Sequence, residues 1–79
     1  MQTTATKFEM IPVKSSNLKA IGYDARSRTL RIQFHDRGAT YDYQNVPAQV
    51  YSLMMLSNSV GTFFSEVVKP HFKATRVSV

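Results

Sequence analysis

The ten residues from Gly38 to Pro47, read as GATYDYQNVP, set the tightest limit on what this chain can fold into. Tyr41 and Tyr43 are separated by one polar residue, so an extended backbone sends both rings to the same face. Gly38 supplies a turn before them. Pro47 has its φ preset for a first helical turn, and Asn45 stands where a cap forms. Turn, strand and helix start therefore follow one another within a single short segment.

The preceding residues supply the strand that this segment returns against. Leu30, Ile32 and Phe34 alternate with Arg31, Gln33 and His35, a period-two pattern with one wet face that predicts a strand over 28–35. Leu18 to Asp24 reads as a strand with Ile21 and Tyr23 on one face and Ala20 and Gly22 on the other. Ala25–Ser27 and Asp36–Gly38 read as the turns, and Ala39 to Gln44 as the third strand. Downstream, Val50, Leu53 and Met54 have the spacing of a helix face and are expected to meet the core over Ala48–Leu56. Met55 and Leu56 are left as an apolar edge. Ser59 is placed to cap a second helix reaching Val68 or Lys69, with Phe63, Phe64 and Val67 as its apolar stripe and Pro70 as its stop.

The expected fold is α+β: an antiparallel three-stranded β-meander followed by two packed helices, with room for an extra N- or C-terminal edge strand. Residues 1–7 read as a flexible tail, 8–73 as a single domain opening on a short edge segment from Phe8 to Val13, and 74–79 as a tail or short strand.

Hairpin register decides what the two tyrosines are for, because a slip of one residue turns every side chain over. If His35 pairs with Ala39, Tyr41 and Tyr43 join Arg31, Gln33 and His35 on the open face, as a platform on which bases stack. Asp42 then points under the helices, at a cost on the order of several kcal/mol for an unpaired buried carboxylate. If His35 opposes Thr40, the tyrosines lie beneath the helices with Ile32 and Phe34. A two-residue loop of the second kind asks Arg37 to accept a positive φ, about 1–2 kcal/mol. The second, inward arrangement costs less and is the expectation.

At 79 residues the chain buries only roughly 60% of its unfolded surface, so its stability margin is thin. It has no cysteine to staple it. No run is long and apolar enough for a membrane span, and the first residues lack the apolar core of a signal peptide, which points to the cytoplasm. The net charge of +5 favours a polyanion, with RNA or another nucleic acid foremost.

Candidate contact residues follow from that charge. Arg31, His35 and Arg37 lie on the sheet side, and Lys69, Lys73 and Arg76 bring charge from the C-terminal end. Ser59 and Gly61 at a helix start present backbone N–H groups suited to a phosphate, or simply cap and pack. His35 and His71 lack the partners and spacing of a metal site, and no cofactor is implied. Ser, His and Asp occur without a motif that arranges them for catalysis, so the chain is expected not to be an enzyme.

Taken in order, Ser15-Ser16, the Ile21–Asp24 strand, Leu30, Phe34, Gly38, Tyr41, Tyr43, Val46-Pro47, Ser59, Gly61 and Phe63-Phe64 resemble the KTSC family. That family takes its name from the C-terminal domain of some lysyl-tRNA synthetases and also occurs as short free-standing bacterial and phage proteins. The resemblance covers residues 11–73. It implies that Tyr41 and Tyr43 are the family's tyrosine pair, implies RNA binding by association with a synthetase, and supplies no catalytic residue. Two readings stand: a small basic RNA-binding module, or a protein-interaction or homodimerising module, including a phage-borne modulator of a host protein.

Overall fold

The expected meander gains a strand at each end. In the computed structural model, which describes residues 9–77, five antiparallel strands lie side by side in chain order. They are β1 (Ile11–Pro12), β2 (Leu18–Asp24), β3 (Thr29–Phe34), β4 (Thr40–Tyr43) and β5 (Ala74–Arg76). Between β4 and β5 the chain leaves the sheet for α1 (Ala48–Leu56) and α2 (Val60–Phe63). The latter continues directly into a π-helical segment, Phe64–Val68. The fold is α+β, a five-stranded meander with its helices on one face. The tail expected over 1–7, Phe8 of the first edge segment, and Ser78 and Val79 lie outside the described residues.

Alternation along the strands sorts the core. Ile21, Ile32 and Tyr41 form one row across the sheet, and Tyr23, Leu30 and Tyr43 the next. These rows face the helices, with Ile21, Ile32 and Leu30 completely buried. The register shifts between Leu18 and Ala20, a bulge at Lys19 that returns Leu18 to the core side, where it too is fully buried. Val46, Met54 and Val68 close the core from the helical layer. Burying each such side chain stabilises by roughly 1.5–3 kcal/mol.

The tyrosines point inward, but the pairing differs from the one expected. Thr40 faces Gln33 rather than His35, Tyr41 faces Ile32, and Tyr43 faces Leu30. His35 has left the strand for a helical conformation, and His35 to Gly38 form the turn. Phe34 N–H donates to the Ala39 carbonyl (2.8 Å) and Ala39 N–H to that of Asp36 (3.1 Å). Sliding by two residues keeps every side chain on its face while giving the turn room. The left-handed strain foreseen for Arg37 is present: its φ is 57° and that of Gly38 is 66°.

Each helix packs two of its three expected residues on the core, Val50 and Met54 from α1 and Phe63 and Phe64 from α2 and its π-helical continuation, and misplaces the third. Leu53 is half exposed at 50%, and Tyr51 takes its place against the sheet. Tyr51 stacks on Tyr23 with centroids 4.9 Å apart, and Tyr23 Oη donates to the Val46 carbonyl at 2.5 Å. Asn45 is not a cap. It takes a left-handed φ of 57°, and Pro47 is the residue whose carbonyl accepts Val50 N–H at 3.0 Å. Ser59 does cap α2, its Oγ accepting from Thr62 N–H at 3.2 Å. Beyond it Phe64 and Val68 go to the core and Val67 does not. Phe64 decides this by meeting Phe34 and Tyr43 edge-on, at 5.6 and 5.4 Å.

Candidate nucleic-acid interface

The helices leave the β3–β4 end of the sheet face partly uncovered. A groove of about 830 Å³ opens there, floored by Phe34, Tyr41 and Tyr43 and walled by Phe64. Ala39 and Ala74 also line it, and their short side chains leave the rings accessible. Ala74 pairs directly with Tyr43 across β4 and β5. Tyr43 is buried, whereas Tyr41 is half-buried and meets Phe34 edge-on at 5.9 Å.

Polar and charged groups stand around these rings. His35, Asp36 and Lys69 line the groove together with Ser16, Asn17 and Ser65. The Arg76 guanidinium stands over the Tyr41 ring, 6.0 Å from its centroid. The π turn explains how an aromatic and a cation reach the same wall. Lys69 N–H donates to the Phe64 carbonyl (2.8 Å), a five-residue step, so Phe64 and Lys69 are successive turns of one face. Burial pushes the Tyr43 phenol above its ordinary value, with the neighbouring Tyr41 adding to the shift, so its hydroxyl stays a neutral donor at physiological pH.

The predicted contact residues divide between this groove and other places. Arg31 remains on the open face but is held by Asp42 in a two-pronged pair, Nε–Oδ1 at 2.7 Å and Nη2–Oδ2 at 3.0 Å. The hydrogen bonds that Arg31 donates to the Asp42 carboxylate raise the Arg31 pKa further above its already high value. His35 does not share that face. It lines the groove, with Nε2 at 3.1 Å from the Ser15 carbonyl oxygen. Arg37 sits at the turn's tip, 92% exposed and 3.9 Å from Asp36. Ser59 spends its hydroxyl oxygen on the cap of α2, and Gly61 lies against Ser15 so closely that an added Cβ would be 2.8 Å from Ser15 Oγ. Lys69 lines the groove, Arg76 stands over its Tyr41 ring, and Lys73 lines a separate, smaller hollow.

Sequence patterning missed Phe34, Phe64, Ser65, Ser16 and Asn17 as groove residues. Phe34 and Phe64 follow core periodicity faithfully, and nothing in that pattern says that the core is open along one side. The π turn that brings Lys69 beside Phe64 has no sequence signature of its own.

The KTSC domain family matches residues 14–72. This chain belongs to the KTSC domain family. The KTSC domain protein of Yersinia pestis has the same fold in its crystal structure, with a TM-score of 0.85 and 38% identity, covering 91% of this chain and all of that one. A protein of Tsukamurella paurometabola is 42% identical over 65 residues, 82% of this chain and 96% of its own length. A lysine–tRNA ligase of Nostoc punctiforme is 31% identical over 71 residues, 90% of this chain but only 12% of the ligase. The KTSC domain thus occurs both as nearly a whole small protein and as a minor part of a long one. No described helix is long and apolar enough to cross a membrane.

Proposed function

We propose that this KTSC domain is a non-catalytic module that binds single-stranded RNA through the aromatic groove. The observation that carries the reading is the groove itself: a half-buried tyrosine among further aromatic rings, with Lys69 and His35 lining it and Arg76 alongside. Aromatic faces hold unstacked bases at about 1–3 kcal/mol each, and cations beside them meet the phosphates. The chain's net charge of +5 supplies attraction at a distance. RNA, rather than DNA, is favoured by kinship with part of a lysine–tRNA ligase. An RNA ligand also agrees with work in the cytoplasm.

Fluorescence anisotropy with a labelled single-stranded RNA tests this. Binding should weaken log-linearly with salt, with a slope of about −1.4 if Lys69 and Arg76 each neutralise a phosphate. Lys69→Gln and Arg76→Gln should each reduce that slope by about 0.7. Affinity insensitive to salt and to both substitutions removes the proposal.

One observation favours a second reading, a protein-interaction surface. Leu56 is 82% exposed and Leu53 50% on the outer side of α1. Self-association through this surface would appear in light scattering as a mass that rises with concentration and falls back in Leu56→Gln. A constant monomer mass removes the homodimer form of this reading.

A further inference from the structure

The two edges of the sheet are not alike. β1 carries Pro12, which lacks the N–H that an added strand would need. β5 has no proline and no break in its register, and all three of its residues are exposed.

The pairing of β4 with β5 fixes which way the β5 backbone faces. Gln44 N–H donates to the Lys73 carbonyl and Val77 N–H to the Thr40 carbonyl, both at 2.9 Å. Hydrogen-bonded pairs alternate along an antiparallel ladder, so Lys73, Thr75 and Val77 bond inward to β4. Ala74 and Arg76 therefore turn their N–H and C=O groups outward, and among the described residues no strand lies beyond them.

The side chains along this edge say what would fit it. Ala74 and Arg76 pair across the ladder with Tyr43 and Tyr41, so they share the helix-side face. Ala74 also lines the aromatic groove. Its side chain is a single methyl group, so a side chain beside it on an added strand can reach over it toward Tyr43 and Phe64. Residues 71–77 hold His71, Lys73 and Arg76 and no carboxylate. Asp42, across from Thr75, is already held by Arg31.

We propose that β5 is a docking edge for an extended acidic segment of another protein, which joins the sheet as a further antiparallel strand. In that arrangement one residue of the segment exchanges backbone hydrogen bonds with Ala74, and the residue two before it does so with Arg76. The first suits an aromatic side chain entering the groove, and the second suits a carboxylate. The pattern read is acidic, any, aromatic. A second copy of this chain is disfavoured, since two β5 edges would set like cations side by side and each chain carries +5. This edge does not depend on RNA as the ligand of the groove.

A labelled pentapeptide, Thr-Glu-Val-Tyr-Val, titrated into the full chain by fluorescence anisotropy with NMR amide shifts in parallel, tests the proposal. Saturable binding should shift the Ala74 and Arg76 amides. N-methylation of the peptide's tyrosine should weaken binding about fivefold, the loss of one backbone donor. N-methylation of its central valine should leave affinity unchanged, because that amide faces away from β5. Arg76→Glu, at an exposed site, should reverse the preference between this peptide and its lysine-for-glutamate version, a swing of roughly tenfold. No saturable binding, equal loss at both methylated positions, or an unreversed preference in Arg76→Glu overturns the proposal. Ala74 and Arg76 amide shifts that follow protein concentration without peptide also overturn it, because the occupant is then a second copy.

Discussion

Gly61→Ala is predicted to be destabilising in the native sequence and stabilising once Ser15 is alanine. A Cβ at Gly61 would sit 2.8 Å from Ser15 Oγ and 3.9 Å from Ser15 Cβ, so the hydroxyl is the only close obstacle. Ser15 Oγ is not free to swing away at no cost. It accepts from Asn17 N–H and Leu18 N–H, both at 3.2 Å, and so shapes the turn that delivers Leu18 to the core. Losing both hydrogen bonds costs about 2 kcal/mol, at roughly 1 kcal/mol each. Replacing glycine by alanine inside a helical turn returns about 1 kcal/mol. Gly61→Ala alone should therefore destabilise by about 1 kcal/mol. In the Ser15→Ala background those hydrogen bonds are already gone, Cβ meets only Cβ, and the same change should stabilise by about 1 kcal/mol. Urea unfolding of the four proteins in this cycle measures the reversal directly. Equal effects of Gly61→Ala in both backgrounds would refute the claim that Gly61 is there to admit Ser15.

Other expectations follow from the same geometry. Asp42→Asn should cost about 0.5–1 kcal/mol of coupling with Arg31 in a double-mutant cycle, with part of it lost at high salt, since the pair is 28% and 18% exposed. Met54→Ala, at a fully buried site, should cost about 2–5 kcal/mol, while Leu56→Ala should stay within about 0.5 kcal/mol by chemical denaturation. Burial raises the phenol pKa values of Tyr23 and Tyr43 above 10.0 in the folded chain. The unfolded chain then loses these protons first, so their contribution is complete below about pH 10 and is lost as pH rises through the folded values. Unfolding free energies measured from pH 8 to 11 should fall only in the upper part of that range.

How much of this was legible in the sequence follows from what each kind of pattern records. Alternation at Leu30, Ile32 and Phe34 reports which face is wet, and it located the meander and the inward tyrosines correctly. It does not report which residue sits opposite which. The hairpin could slide by two without moving any side chain to the other face, and His35 left the strand as a result. Each helix stripe held at two positions and missed at one, for a related reason. Spacing alone allowed Leu53 or Tyr51 to face inward, and only the waiting ring of Tyr23 decides for Tyr51.

The candidate site was harder to read, because charge patterning counts cations without their partners. Arg31 looked available on the open face until its register neighbour proved to be Asp42. The aspartate between the tyrosines had argued against an outward aromatic pair. It also holds the arginine that such a pair would have relied on. The tyrosine pair was expected to be a structural lock. Tyr43 matches that expectation, while Tyr41 is left half open in a groove that core periodicity cannot announce. Ser15 and Gly61 likewise stand 46 positions apart in sequence, and their contact appears only in the folded chain.

The central claim is that the aromatic groove, and not the open sheet face, receives the RNA. An NMR titration of the full chain with a short single-stranded RNA at low and high salt tests it most directly. The account predicts amide shifts concentrated at Phe34, His35, Tyr41, Phe64 and Lys69, weakened by salt, with little change at Gly22, Arg31 and Asp42. Shifts centred on Gly22, Arg31 and Asp42, with the groove silent, would contradict it.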